Sequence, residues 1–192
     1  AGIGNISIDL MYGFPGETID DWEDDISNAL SLNVKHISAY SLMYEEGTPL
    51  HHLLKQGIIK ETDEDNSYNM YNILTDRLIE AGYEHYEISN FAINGFHSRH
   101  NSSYWEGIPY IGIGASAHSY DIHTRQWNVS DVETYINSIE NGSIPMEFEL
   151  IDEDTRYNDF ITTSLRTSKG LDISILSDKH RKFCLDCAAD FI

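Results

Sequence analysis

Positive charge is scarce in this sequence of 192 residues. Its 12 Lys and Arg residues stand among 32 Asp and Glu residues, which gives a formal net charge of −20. Nucleic-acid binding depends largely on Lys and Arg neutralising phosphates, so such a partner is not expected. The same charge opposes binding to an anionic membrane surface. A ligand that carries carboxylates would therefore need a local basic or apolar site on this protein.

Long apolar runs and cysteines are scarce as well. No run approaches the roughly 20 apolar residues that span a bilayer, and no charged-then-apolar leader follows Ala1. The two cysteines, Cys184 and Cys187, are too few for a disulfide framework of the secreted type. A single CxxC pair is also a weak indication of zinc, and two cysteines on the last helix are the favoured interpretation. We therefore expect a cytoplasmic protein without a transmembrane segment.

Hydrophobic residues make up 41% of the chain, which is enough for a core. In the first half, apolar patterns that alternate every second residue are followed by patterns with helical spacing. The predicted strands are 5–12, 35–43 and 84–91, and the predicted helices start at Thr18, Thr48 and Thr62. Strand and helix in alternation are typical of a parallel sheet with outer helices, so an α/β fold is predicted.

Two helices carry predicted core residues. In the first, Trp22, Ile26, Ala29 and Leu30 form one apolar stripe. In the third, the residues at helical spacing are Tyr68, Tyr71, Leu74, Leu78 and Ile79.

The pattern changes after residue 95. A polar and aromatic segment, 97–105, and a glycine-rich segment, 111–119, precede predicted helices that begin near Ser130, at Asp152 and at Asp172. The last of these helices is expected to run to the chain end. We predict an α/β domain over residues 1–125 and a small, mostly helical domain over residues 126–192.

Ligands of parallel α/β sheets bind at the carboxyl ends of the strands. Polar residues occur there, among them Asp9 in the first strand and Glu87 with Asn90 in the third. Asp9 alternates with apolar neighbours in a strand expected to be buried, and a buried carboxylate needs a partner. That partner is a ligand, an ion pair or a helix end. For Glu87 the alternatives are a hydrogen bond to a ligand or to the Arg99 side chain, and a structural ion pair.

Five segments in order resemble one known family: IDLMYGFPGET, HISAYSLMYEEGTPL, YEISNFA, RHNSSYW and YIGIGASAHS. They are similar to the oxygen-independent coproporphyrinogen III oxidase-like family of radical S-adenosylmethionine (SAM) proteins, over about residues 6–120. The resemblance implies the C-terminal part of a partial (β/α) radical SAM barrel, with parallel strands and outer helices. In the family, a CxxxCxC loop in the N-terminal half binds a 4Fe–4S cluster that SAM chelates.

That cysteine loop does not occur in this sequence. The chain is therefore expected to be a C-terminal fragment whose cluster cysteines lie upstream. On this interpretation the fragment has no metal ligands and no catalytic residues of its own, and it is inactive alone. An interrupted barrel exposes a sheet edge, so self-association is also expected.

The resemblance assigns three residues to SAM binding. Asp9 corresponds to the position at the SAM ribose, Met43 to a second position that lines SAM, and His118 to a third near the cofactor. The alternative for Met43 is a core position. Gly112 and Gly114 lie beside His118 in the sequence, and their simplest role is to allow close backbone packing.

The segment 100–105 fits the HNxxYW signature of the haem-chaperone (HemW-type) branch of this family. His100 can ligate haem iron, and Tyr104 and Trp105 offer flat faces to a macrocycle. Arg99 can bind a haem propionate. The structural alternative makes Asn101 the cap of a short helix and the two aromatic residues core. His97 and His118 are competing ligand candidates.

Two functions follow from the resemblance. The first is haem binding and transfer to a recipient protein. The alternative is an enzyme, an oxygen-independent coproporphyrinogen III dehydrogenase, which oxidatively decarboxylates two propionates of its porphyrinogen substrate in haem biosynthesis. SAM and a 4Fe–4S cluster are implied for the full-length protein in both cases, and haem is implied in the first.

Overall fold

The computed structural model describes residues 2–189, which belong to two compact units, Ala1–Ser98 and Arg99–Ile192. The first unit contains four strands and three helices. They are β1 (Ser7–Tyr12), α1 (Ile19–Ser31), β2 (His36–Ser41), α2 (Pro49–Lys55), α3 (Glu64–Glu80), β3 (Glu84–Glu87) and β4 (Asn90–Ala92). This order confirms the predicted alternation of strands and helices, with one difference in the last strand.

The four strands form one sheet in the order β1-β2-β4-β3. β1 and β2 are parallel, as predicted, whereas β4 is antiparallel to both β2 and β3. The prediction of one continuous strand over 84–91 is wrong because the chain reverses at Ile88 and Ser89. The Glu87 carboxylate accepts hydrogen bonds from the Ser89 backbone N–H, at 3.0 Å, and from the Asn90 side-chain amide. These bonds close the turn that divides the strand.

The start of α1 follows the sequence prediction. Thr18 is the N-cap: its hydroxyl oxygen accepts the Asp21 backbone N–H at 3.2 Å. The Asp21 carboxylate accepts the Thr18 backbone N–H at 3.0 Å in return, which completes a capping box. Hydrogen bonds from Thr18 hold the pKa of Asp21 below its ordinary value.

The core of the first unit lies between one face of the sheet and helices α1 and α3. Trp22 and Ile26 of α1 are fully buried, and the Trp22 indole N–H donates to the Met70 carbonyl oxygen of α3 at 2.9 Å. Ile37 and Phe91 supply the sheet side of this core. The predicted stripe of α1 is confirmed for Trp22, Ile26 and Ala29, and Leu30 packs against its edge.

The predicted stripe of α3 is confirmed in part. Leu74 and Leu78 are fully buried, whereas Tyr68 is 68% exposed and Ile79 is 52% exposed. Met70 occupies the buried position one turn before Leu74 instead. Residues 70, 74 and 78 are spaced by four and form a narrow buried stripe along α3. This stripe is the part of the helix that the sheet and α1 cover.

The second unit combines helices with a small antiparallel sheet of order β5-β6-β7. Its elements are α4 (Arg99–Trp105), β5 (His118–Tyr120), β6 (Thr124–Asn128), α5 (Val132–Glu140), β7 (Met146–Leu150), α6 (Glu153–Leu165), a 3-10 helix (Ile173–Ile175) and α7 (Asp178–Ala188). Helices predominate over strands after residue 125, as expected, although the strands of this unit were not predicted from the sequence. The domain boundary after residue 125 stays a prediction.

The last predicted helix is divided in two. Asp172 caps the 3-10 helix, Leu176 is extended, and Ser177 caps α7. The Arg181 guanidinium stabilises this break by donating to the carbonyl oxygens of Ile173, Ser174 and Leu176 at 2.9–3.0 Å. The helix was predicted to continue to residue 192, and the part of that prediction beyond residue 189 lies outside the described residues. Over residues 2–189, no helix has both the length and the apolar character needed to cross a membrane.

Gly112 is required where the glycine-rich segment passes β5. A Cβ at this position would overlap the backbone of His118, carbonyl oxygen included. The Gly112 N–H donates to the Ser119 hydroxyl at 2.9 Å, which fixes the close approach. The expectation of close backbone packing is thus confirmed for Gly112 but is wrong for Gly114, where a Cβ would meet nothing within 4 Å.

We predict that Gly112→Ala lowers the free energy of unfolding by about 2 kcal/mol or more, since rigid backbone must move to admit the methyl group. Urea unfolding followed by circular dichroism measures this loss. Gly4→Ala is the matched control, because a Cβ there meets nothing within 4 Å. Equal unfolding midpoints for the two variants would contradict the close approach.

Candidate functional site

A row of polar side chains crosses the sheet of the first unit. Asp9 of β1 is in register with Ser38 of β2, Ser38 with Asn90 of β4, and Asn90 with Glu87 of β3. The residues that alternate with them pack against the helices. Because side chains alternate between the two faces of a strand, the row lies on the face opposite the helices.

Burial differs along this row. Ser38, Asn90 and Glu87 are buried, whereas Asp9 is exposed, since β1 is an edge strand. The expectation that Asp9 is buried is therefore wrong. The Asn90 amide N–H donates to Glu87, so its carbonyl oxygen must point away, and that buried oxygen has no hydrogen-bond partner among residues 2–189. The row therefore offers an exposed carboxylate at one end and a hydrogen-bonded carboxylate at the other.

The other two predicted SAM-binding residues are also exposed. Met43 follows β2 and is 73% exposed, so its alternative as a core residue is wrong. His118 lies on β5, and its ring centroid is 6.1 Å from that of Trp127. Asp9 and Met43 belong to the first unit and His118 to the second, so no single unit brings all three together.

A buried histidine lies on the same face as the row. The His36 Nδ1 atom is 2.8 Å from the Ser7 hydroxyl, and its Nε2 atom is 2.7 Å from the Tyr86 hydroxyl. The Tyr86 hydroxyl also accepts the Ser98 backbone N–H at 3.2 Å. The ring of His97 stacks on Tyr86 with centroids 4.2 Å apart. These bonds join β1, β2, β3 and the segment that ends the first unit.

Burial lowers the pKa of the His36 imidazole below its ordinary value. The nearby Asp9 carboxylate opposes this shift, His97 adds to it, and Glu87 opposes it. Burial also raises the pKa of the Tyr86 hydroxyl. Both groups are therefore held in their neutral forms near pH 7, which suits two buried hydrogen-bonding side chains.

The HNxxYW segment lies entirely within α4. His100 is exposed and meets the Tyr104 ring, one helical turn later, edge to face at 4.9 Å between centroids. Tyr104 in turn meets Tyr110 edge to face at 4.8 Å. The imidazole is thus accessible, and an aromatic chain supports it from one side.

The structural alternative for this segment is not supported as stated. Asn101 lies inside α4 rather than before it, so it does not cap the helix. Tyr104 is 38% exposed and Trp105 is half-buried, so neither is a fully buried core residue. Arg99, the candidate propionate partner, is exposed at the start of α4. His97 is paired with Glu84, 2.6 Å from its Nε2 atom, which leaves it less available as an iron ligand.

The family implies three groups, a 4Fe–4S cluster, SAM and haem, and the residues of this chain fit them to different degrees. A 4Fe–4S cluster does not fit, since Cys184 and Cys187 are the only cysteines of the sequence and both lie on α7. Within residues 2–189 no group of three His, Cys, Asp or Glu side chains could hold a metal ion. SAM fits the first unit in its chemistry, because Asp9 presents an exposed carboxylate to hydroxyl or ammonium donors. Haem fits α4, where an exposed imidazole lies beside aromatic rings.

Sequence reasoning missed His36 and Tyr86. Residues 36, 38 and 40 occupy one face of β2 by simple alternation, so the position of His36 beside Ser38 could have been found from that period. It also missed Arg166, whose guanidinium carbon lies 4.7 Å from the centroid of Trp105. That contact depends on how α6 packs on α4, for which the sequence holds no local signal.

The fold of this chain is similar to part of a solved radical SAM enzyme. The coproporphyrinogen III oxidase of Escherichia coli, described as a radical SAM enzyme, superposes with a TM-score of 0.69 at 17% sequence identity. The match covers 95% of this chain and 45% of the oxidase. No family model matches the sequence.

Curated relatives narrow the class to one family. The sequence is 34% identical to the heme chaperone HemW of Mycobacterium tuberculosis over 182 residues, which is 94% of this chain and 47% of that protein. It is 41% identical to HemW of Bacillus subtilis over 144 residues, 75% of this chain and 38% of that protein. The mouse mitochondrial radical S-adenosyl methionine domain-containing protein 1 is 36% identical over 68% of this chain and 31% of that protein.

The chain belongs to the HemW family, a branch of the coproporphyrinogen III oxidase-like radical SAM proteins. It spans about half the length of the curated relatives that match most of it.

The lowered pKa of His36 predicts a specific pH dependence of stability. The unfolded chain binds a proton on this residue more readily than the folded protein does, so stability rises with pH in this range. Its contribution is complete above about pH 6.5, the ordinary histidine value, and declines as pH falls from there towards the lower folded-state pKa. His36→Gln should therefore reduce the loss of stability between pH 7.5 and 5.5.

Urea unfolding midpoints at the two pH values measure this effect. His123→Gln, a change at an exposed position, is the control and should keep the pH dependence of the unmodified protein. An unchanged pH dependence in His36→Gln would show that its burial does not control this titration.

Proposed function

We propose that the protein binds haem and passes it to a recipient protein, and that α4 forms part of the haem site. The observation that carries this proposal is the exposed imidazole of His100, held edge to face by Tyr104 within the HNxxYW segment. Imidazole is a common axial ligand of haem iron, and aromatic faces pack well on a porphyrin. The names of the relatives as heme chaperones support the same function.

The negative charge of the protein means that a haem site needs a local cation for the haem propionates. With a net charge of −20, most of the surface repels the two haem propionates. Arg99 lies directly beside His100 on α4 and is exposed, so its guanidinium can form charge-assisted hydrogen bonds with a propionate. Arg99 is thus proposed to orient the macrocycle while His100 binds the iron. Asn101, half-buried in the same helix, completes the proposed set with Tyr104 and Trp105.

The SAM-binding role of Asp9, Met43 and His118 is part of the proposal. When bound with a 4Fe–4S cluster in the full-length protein, SAM supplies radical chemistry. Asp9 would accept hydrogen bonds from the SAM ribose hydroxyls, since its carboxylate is exposed on the sheet face that carries the polar row. Met43 would offer an apolar contact to the cofactor. The cluster ligands are proposed to lie upstream of Ala1.

A cytoplasmic location is also proposed. Cys184 and Cys187 form no disulfide within the described chain, which suits a reducing compartment. The recipient of the haem is proposed to be a protein, in keeping with the chaperone names of the relatives.

Titration of the full-length protein with haemin, followed by the Soret absorbance, tests this function. We expect saturable binding, and we expect His100→Ala to weaken it by about tenfold or more, a change of about 1.4 kcal/mol, with a shifted Soret maximum. His52→Ala, which removes another exposed histidine, is the control and should bind haemin like the unmodified protein.

Saturable binding that His100→Ala leaves unchanged would remove His100 as the ligand. Absence of saturable binding, together with decarboxylation of coproporphyrinogen III by the reconstituted protein, would contradict the haem function and favour the dehydrogenase alternative.

A further inference from the structure

Arg166 lies over the indole ring of Trp105. Its guanidinium carbon is 4.7 Å from the ring centroid, within the distance of a cation–π contact. Arg166 is the C-cap residue of α6, and Trp105 ends α4. The contact therefore joins the last turns of two helices of the second unit.

A second contact links the same two segments. Lys169, three residues after Arg166, forms an ion pair with Glu106, the residue that follows Trp105. Both side chains of this pair are exposed, so by itself it contributes little. It nevertheless shows that the segment after α6 lies beside the end of α4 over several residues, from Arg166 to Lys169.

The indole of Trp105 has an unusual environment. Its N–H is buried and has no hydrogen-bond partner in the part of the chain that the structure describes. Trp22 shows the common arrangement, because its N–H donates to the Met70 carbonyl oxygen. Within residues 2–189, no hydrogen bond of this kind fixes the plane of the Trp105 indole. Its orientation depends on packing, and the guanidinium lies against its face.

The two aromatic residues of the HNxxYW segment are thus held in different ways. Tyr104 is held between His100 and Tyr110 by edge-to-face contacts. Trp105, the next residue, points about 100° away around the helix axis and meets Arg166. Support for Tyr104 comes from α4 and the following loop, whereas support for Trp105 comes from α6.

We propose that Arg166 is a positioning residue for haem binding and that it acts through Trp105. The guanidinium holds the plane of the indole, and the indole in turn shapes the apolar part of the haem site on α4. The proposal rests on the proposed haem function of this helix. Arg166 is suited to this role because its planar cation stacks on a ring, whereas lysine offers only a point charge.

A double-mutant cycle in the full-length protein tests this assignment by haemin titration. We expect Arg166→Met, which keeps the stem and removes the cation, to weaken haemin binding by about fivefold, the size of a half-buried cation–π contact. Arg166→Lys should restore part of the loss. Trp105→Leu should weaken binding as well, and Arg166→Met should cause no further loss in the Trp105→Leu background. Lys182→Met, which removes an exposed cation of α7, is the control for net charge.

Near-UV circular dichroism without haemin gives a second readout of the same variants. Arg166→Met should change the indole signal, and the change should vanish in the Trp105→Leu background. Losses of haemin affinity that multiply in the double variant would overturn the proposal, because Arg166 would then act independently of Trp105. An equal loss in Lys182→Met would overturn it in favour of a general charge effect.

The failure of the proposed function has a different signature. If the unmodified protein binds no haemin, the haem role of both residues is overturned. The indole signal then still decides whether Arg166 orients Trp105.

Discussion

One-sided packing of the sheet in the first unit is the constraint on which its polar site depends. Helices α1 and α3 cover one face, where Trp22, Met70 and Leu74 are fully buried. Alternation then places every second strand residue on the other face, and there the sequence supplies Ser, Asp, His, Asn and Glu. The strand register that places apolar residues in the core therefore also places four polar residues in one row across the strands: Asp9, Ser38, Asn90 and Glu87. A shift of one residue in any strand would exchange core and polar residues.

Buried polar groups on this face are satisfied mainly by one another. His36 contacts Ser7 and Tyr86, and Glu87 accepts hydrogen bonds at the turn between β3 and β4. Such a network is costly to leave incomplete, so it specifies the positions of its members closely. In the second unit, aromatic stacking has the equivalent role. The short helix α4 contains seven residues, too few to be stable alone, and it depends on Tyr110 and on α6 for support.

The sequence could predict what local chemistry determines. Thr18 caps α1, the apolar stripe of that helix faces the core, and β1 pairs with β2 in parallel. The division of β3 from β4 was not predictable, because the turn depends on a carboxylate three residues before its amide partner rather than on glycine or proline. Which residues of α3 are buried depends on the width of the surface that covers the helix. The spacing of its apolar residues in the sequence does not reveal that width.

The candidate site was predictable to a similar degree. The HNxxYW segment and Asp9 were found from the resemblance to the family, and the curated relatives confirm that family. The exposure of Asp9 and Met43 and the support of Trp105 by Arg166 required the structure, since they depend on strand order and on helix packing.

The central claim is that α4 is the part of this chain that meets haem. Hydrogen–deuterium exchange of the full-length protein, measured by mass spectrometry with and without haemin, tests it most directly. Haemin binding is expected to slow exchange in residues 99–107 and to leave exchange in α7 unchanged. Protection elsewhere, with residues 99–107 unaffected, would contradict it.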